Sequence, residues 1–426
     1  MRRRAGPLSV RPERGSPSLP RWVGLAILGQ LVGTPLYAAP PAAGATPGQG
    51  AQEVPPEKEK VFVNGFMVIN MNYNASGLFP GSQANFAIRP DVSEPQFFIS
   101  PQNSVVGIGL RASPIEGAEI LGALAITLRS PQPLITANTI SPQFYDVHVE
   151  ARTKTFHVAF GQMPDVVYPI TPDVLNGMPP GYLPGAIGYT RPQLQGGLDA
   201  PLGDVLHLLV QGCLARPIQT FDLSEGFAAR QAGVPDLQGR IAVGSGEPAA
   251  AGPTVRPRER PVEIGVDAHW GRRRITLLPP DPRNLTYTTW SAGGDLHVKV
   301  PTGTTLRAEI FVGSILGDYA AGVFHTVDPT LLVGVQAWGF WAQVSQVLSD
   351  RIRVGAAYGR DDPKRADLAP ITRARNQALL VTGFWDITKR LGIGLEGSRW
   401  RTDYVGMSAA FAWRADVAVY LGFGGP

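Results

Sequence analysis

From Lys60 onward the chain alternates apolar and polar residues with a period of two, in runs long enough to cross a bilayer. In 61–74, Val61, Val63, Gly65, Met67, Ile69, Met71 and Tyr73 share one face, and Asn64, Asn70, Asn72 and Asn74 share the other. Side chains alternate across a strand, so a dozen residues of this pattern specify an extended segment with two chemically different faces. The pattern recurs in Val262, Ile264, Val266, Ala268 and Trp270 against Glu263, Asp267 and His269. It recurs again in Phe411, Trp413, Ala415, Val417, Val419, Leu421 and Phe423 against Arg414, Asp416 and Tyr420. No later segment offers 18 consecutive apolar residues, so there is no transmembrane helix in this part of the chain. A membrane location then requires a closed barrel, because lipid cannot satisfy the open edge of a sheet.

The runs predict about 16 strands, near 61–74, 97–113, 116–130, 143–152, 154–163, 189–199, 204–216, 236–245, 261–274, 286–300, 304–317, 331–346, 351–359, 374–386, 391–402 and 408–423. Single-chain bacterial barrels have even strand numbers, which leaves 14 and 18 as alternatives. The expected fold is all-β, a transmembrane antiparallel barrel over 60–423. A soluble sandwich also alternates, but its strands are shorter. Here the apolar faces often end in an aromatic such as Tyr73, Trp270 or Trp413, as interface girdles do. The 50 glycines and 40 prolines disfavour long helices and suit many turns. Short turns such as Ser113-Pro114 contrast with long connections at 75–95, 164–188, 217–235, 246–260, 275–285 and 360–373. That asymmetry is expected when the two barrel ends face different compartments.

Residues 1–38 read as a cleaved signal peptide. Six arginines precede the apolar run Trp22–Val32, and Leu36-Tyr37-Ala38 offers a small-residue cleavage site. Residues 39–59, rich in Pro, Ala and Gly, read as a flexible periplasmic lead-in. The whole chain is +4, but the leader contributes six arginines against Glu13, a net +5, which leaves the remainder at −1. Nucleic acid is therefore not an expected partner. Cys213 is the lone cysteine and precludes an intrachain disulfide.

No motif implies a cofactor or a catalytic centre. Gly392-Ile393-Gly394-Leu395-Glu396-Gly397 matches a dinucleotide-loop spacing, but an extended segment follows it where a helix is needed. The six histidines form no metal-ligand spacing, and alternation points His148, His157, His207, His269 and His297 to the lumen. There is no G-x-S-x-G elbow, and no Ser/His pair stands out for an outer-membrane hydrolase. Loop 164–188 is long and proline-rich, the type of segment that porins fold inward, which places Asp165, Tyr168, Asp173 and Tyr182 opposite arginines of the far wall. Inward charges include Arg111, Arg129, Arg152, Arg240, Arg307 and Arg353 against Glu119, Asp146, Glu150, Glu263, Asp267 and Glu309. Arg111, Arg129 and Arg152 lie on neighbouring strands and are expected to form one ladder, suited to carboxylates by the planar guanidinium fork.

Residues 339–368 (GFWAQVSQVLSDRIRVGAAYGRDDPKRADL), Arg375-Asn376, and Leu395 through Tyr404 (LEGSRWRTDY) resemble the DcaP-like trimeric porins. So do Ala159-Phe160-Gly161-Gln162 and Tyr189-Thr190-Arg191-Pro192-Gln193, which flank the long loop. The resemblance implies a homotrimer of 16-stranded barrels in the outer membrane, in contact with its lipid and admitting small anionic solutes, dicarboxylates included. Alternation and the inward reading of the long loop assign pore-lining roles to Arg111, Arg129, Arg152, Arg307, Asp165, Tyr168 and Asp173. The alternative is a structural or adhesion barrel with a filled lumen.

Overall fold

The computed structural model describes residues 59–79, 84–129, 141–175, 183–218, 227–231, 233–246, 248, 260–277 and 284–424. The leader, most of the lead-in and Tyr182 lie outside the described residues. Sixteen antiparallel strands form one closed barrel. They are β1 (Lys60–Asn74), β2 in two segments (Gln96–Ser100 and Val105–Ile115), β3 (Ala118–Arg129), β4 (Ser141–Arg152), β5 (Phe156–Pro164) and β6 (Thr190–Leu202). Then follow β7 (Leu206–Ala215), β8 in two segments (Phe227–Gln231 and Asp236–Ser245), β9 (Val262–Leu277), β10 (Asn284–Lys299) and β11 (Thr304–Ser314). The last five are β12 (Gln336–Ser349), β13 (Ile352–Pro363), β14 (Arg373–Asp386), β15 (Leu391–Tyr404) and β16 (Ala410–Gly424). Each strand pairs with its neighbours in sequence. The barrel closes where β1 pairs with β16, from Asn64↔Gly424 to Asn74↔Arg414.

All sixteen predicted strands are present, but Ser113-Pro114 lies within β2, the turn being Glu116-Gly117, and the predicted connection 217–235 contains Phe227–Gln231 of β8. Two further differences are larger. Residues 315–335 form a long loop, whereas alternation extends the flanking strands to 317 and back to 331. Ile315, Ala320, Val323, Phe324 and Leu332 have φ between 52° and 65°, a left-handed backbone that ends an extended ladder. The apolar run there resembles a strand because Leu316, Tyr319 and Ala321 are buried with Val167, Ile187, Phe311 and Ala337 inside the barrel. The second difference is the connection after Ser245. Register sets Ser245 beside Val262 at the same end as the short turns, so this long segment departs from the loop asymmetry. Most of it lies outside the described residues.

Faces follow the pleat. Outward positions form an apolar band, with Val63, Ile69, Val149, Val158, Ile264, Val266, Val381 and Leu395 all exposed. At the strand ends Tyr73 is 50% exposed and Trp413 61%, whereas the inward Asn74 is fully buried. In water such a band would be a severe aggregation liability; facing lipid, it is the requirement. Short turns at 116–117, 153–155, 203–205, 300–303, 350–351 and 387–390 lie at the end that holds Lys60 and Gly424.

A closed ladder resists detergent until heated, because no edge is free to unzip. Unboiled protein on a denaturing gel should migrate differently from boiled protein, with β-rich circular dichroism in the unboiled sample. Identical mobility together with substantial helical signal would rule out this fold.

Candidate functional site

The segment that leaves β5 folds into the barrel and reaches the far wall. At its root, the Val166 amide donates to Gln238 Oε1 of β8 (2.8 Å). Across the lumen, the Asp173 amide donates to Gln343 Oε1 of β12 and the Gln343 side-chain amide returns a bond to the Asp173 carbonyl, both at 2.8 Å. The Leu175 amide donates to Glu396 Oε2 of β15 (2.7 Å). On the return leg, Gly185 (φ +87°) lies against the Phe340 and Arg360 carbonyls, and Gly359 faces the Pro184 carbonyl so closely that a Cβ there would collide with it. Glycine is needed at Gly185 for its φ and at Gly359 for the close approach.

Two kinds of contact hold the loop. Ile170, Leu183 and Ala186 pack with Trp341, Ala357, Ala378, Leu380, Trp400 and Ala412 on the inward faces of β12–β16. Those strands carry apolar residues on both faces because the inner one is covered by loop rather than by water. At the root, Arg191 of β6 and Arg273 of β9 bind three aspartates in a buried cluster. Arg191 reaches Asp165 (Nε–Oδ1 2.8 Å) and Asp236 (3.3 Å), donates to the Asp318 carbonyl (3.1 Å) and lies 4.1 Å from the centre of the Tyr319 ring. Arg273 grips both oxygens of Asp236 at 2.7 Å and also binds the Asp318 carboxylate. Tyr319 Oη donates to Asp236 (3.0 Å), and His269 stacks on its ring at 3.9 Å. The cluster thus joins both infolded loops, through Asp165 and Asp318, to β6, β8 and β9. Burial pushes the Asp165 and Asp318 carboxyls upward, and Arg191 and Arg273 oppose that shift.

A second buried set sits on the wall itself. Arg240 of β8 binds Asp295 of β10 through two bonds (2.9 and 2.6 Å) and Glu263 of β9 (2.7 Å). Most inward carboxylates are withdrawn from solvent: Asp146, Glu150, Asp236, Glu263, Asp267, Asp295, Glu309, Asp361, Glu396 and Asp416 are all buried, whereas Glu119 is exposed and Asp199 partly so. Among inward arginines, by contrast, Arg111, Arg152, Arg307 and Arg353 remain partly accessible. Arg152 contacts Glu150 (2.7 Å), and Arg353 contacts Asp173 (3.0 Å) and lies over the Phe384 ring. Among the described residues, no three His, Cys, Asp or Glu side chains converge as metal ligands would.

The predicted site residues therefore separate. Asp173 meets Arg353 on the far wall. Asp165 instead pairs with Arg191 at the loop's own root, and Tyr168 is buried, its amide donating to the Asp165 carbonyl (3.1 Å). Arg111 and Arg152 lie near one another, since Arg111 is level with Leu121, and Leu121 with Glu150. The three-arginine ladder does not form. Arg129 pairs with Ser141 at the opposite end of β3, eight residues or about 26 Å along the strand from Leu121. Antiparallel chain direction sends it to the long-loop end; its side chain lies outside the described residues. Sequence reasoning missed Arg191, Asp236, Arg273, Asp318 and Tyr319. Alternation points the strand members inward but does not show which ones meet.

The barrel resembles solved outer-membrane channels. The outer membrane channel DcaP of Acinetobacter baumannii superposes with a TM-score of 0.66 at 15% identity, covering 86% of this chain and 98% of the other. The anion-selective porin from Comamonas acidovorans gives 0.52 at 9% identity, covering 86% and 100%. OmpT of Vibrio cholerae, an outer-membrane protein, gives 0.51 at 8%, covering 87% and 99%. No protein-family model matches the chain, and no curated protein matches it by sequence.

Removing one partner of a buried ion cluster leaves uncompensated charge, at a cost of about 3–5 kcal/mol. Arg273→Ala should lose that much stability in urea unfolding from lipid vesicles. The adjacent outward Arg272→Ala should change it by less than about 0.5 kcal/mol. Equal effects would show that the cluster holds nothing together.

Proposed function

We propose that this barrel, which shares its fold with outer-membrane porins, is a passive diffusion channel of the outer membrane for small hydrophilic solutes, with a preference for anions and dicarboxylates within its range. The assembly proposed is a homotrimer, after the trimeric porins it resembles. The observation that carries the anion preference is the unequal exposure of lumen charge: ten inward acids are buried, and Arg111, Arg152, Arg307 and Arg353 reach solvent against the accessible Glu119 and Asp199. A narrow passage between low-dielectric walls strengthens the field of each accessible charge and enriches the opposite sign. Guanidinium forks also pair with both oxygens of a carboxylate. Asp173 sets the position of Arg353 and anchors the loop, whereas Asp165 and Tyr168 are too buried to touch a solute. The loop narrows the channel by crossing it between β8 and β12–β15.

The competing reading is a structural or adhesion barrel with a plugged lumen. It draws on the large inward Trp341, Trp400 and Phe311 and on the loops packed against them. Conductance decides between the two readings.

In a planar bilayer the protein should form open channels whose reversal potential in a salt gradient shows anion preference. One charge at about 4 Å contributes on the order of 1 kcal/mol even in water, so Arg111→Ala with Arg353→Ala should lower the anion/cation permeability ratio severalfold. A closed wild-type barrel, or a cation-selective one, would defeat the reading. Gly359→Val should push the loop off β13 and raise single-channel conductance. Unchanged conductance in the folded variant would mean that the loop does not set pore width.

A further inference from the structure

The lipid-facing side of β13–β16 changes in character toward the long-loop end. Nearer mid-strand its exposed residues are aliphatic, including Val381 and Leu395. In the next register row Tyr358, Leu379, Arg399 and Trp413 lie side by side, and above them Phe340, Arg360, Gln377, Arg401 and Phe411. Arg375 stands opposite Asp403 at the top. Four guanidinium groups thus share the patch with two carboxylates. Arg360 pairs with Asp362, Arg375 lies 3.3 Å from Asp362 and 3.6 Å from Asp403, and Arg401 lies 2.9 Å from Asp403. Arg399 is exposed and has no carboxylate partner among the described residues. Its guanidinium sits 5.6 Å from the Phe411 ring and 5.5 Å from that of Trp413, while Arg401 lies 5.5 Å from Phe411.

Arginine on a lipid-facing strand is costly at mid-bilayer and tolerated only near the headgroups. The aromatic rings place these two rows at that depth and lie within cation–π distance of the Arg399 and Arg401 guanidiniums. An excess of positive charge on planar forks, at a fixed height on the lipid side, is complementary to phosphate. Resting on the outer-membrane placement proposed above, the geometry points to a binding site for a phosphorylated glycolipid of the outer leaflet. Arg399 and Arg401 contact its phosphate, and Arg360 and Arg375 form a second rank held in place by Asp362 and Asp403. The lipid's acyl chains lie along the aliphatic rows below. The solute path plays no part in this, because all four arginines face away from the lumen.

The test uses the full mature protein in mild detergent, titrated with diphosphoryl lipid A and with its dephosphorylated form, bound lipid being read by native mass spectrometry. Wild type should bind the phosphorylated form at least about tenfold more tightly. Arg399→Gln with Arg401→Gln should abolish most of that difference while leaving channel conductance and unboiled gel mobility unchanged. Arg111→Gln with Arg353→Gln, in the lumen, should keep it. Should the double glutamine variant fail to fold, Arg399→Lys, which keeps the charge and loses the fork, should weaken phosphate discrimination by a smaller factor. Equal affinity of wild type for the two lipids would overturn the site, as would loss of discrimination in the lumen variant alone. Loss of oligomer with unchanged lipid binding would make the patch a subunit interface instead. A wild type that discriminates the lipids but does not conduct would sink the channel reading and leave this one standing.

Discussion

Closure of the hydrogen-bonded ladder between β1 and β16 is the constraint on which everything else rests. Inside a bilayer no water is available for an unpaired amide or carbonyl, so every strand must find two neighbours and the last must find the first. Once the ring is shut, alternation has only one meaning. Half the side chains face lipid and half face the enclosed space, and a slip of one residue would exchange the two sets. That is why Val, Ile and Leu on the outer face coexist with buried Asp, Glu, Gln and His on the inner face of the same strands.

Enclosure then creates a second problem, which this protein meets with its own loops. Segment 165–175, the return leg 183–189 and loop 315–335 enter the barrel and bury part of its polar wall. Charges taken out of water must be paired, and the Arg191/Arg273 cluster pairs them across loops and strands that are far apart in sequence. The cluster buries three aspartates with two arginines. The wall set around Arg240 likewise engages more acids than bases. Most inward acids are thereby withdrawn from solvent.

The outer surface is graded as well as apolar. Aliphatic rows give way to aromatic and arginine rows, and then to ion pairs, within a few residues of β13–β16. The depth at which arginine becomes tolerable marks the headgroup region. The same residue type thus meets different surroundings according to whether it points into the barrel or at the lipid.

By itself the sequence determined what depends on local periodicity. That includes sixteen strands, the lipid-facing and inward faces, aromatic ends such as Tyr73 and Trp413, and the inward direction of the strand histidines. These are legible because a strand's side chains alternate whatever its partners are. It did not show which inward residues meet. Asp165 finds Arg191 rather than the far wall, and Arg129 leaves its expected neighbours for the other end of β3. Apolar Ile315 and Leu316 turn into the lumen instead of extending a strand. Those outcomes depend on register, chain direction and the packing of loops within an enclosed space, which are set only when distant segments come together. Tertiary structure alone decided that most acids are buried while a few arginines stay accessible.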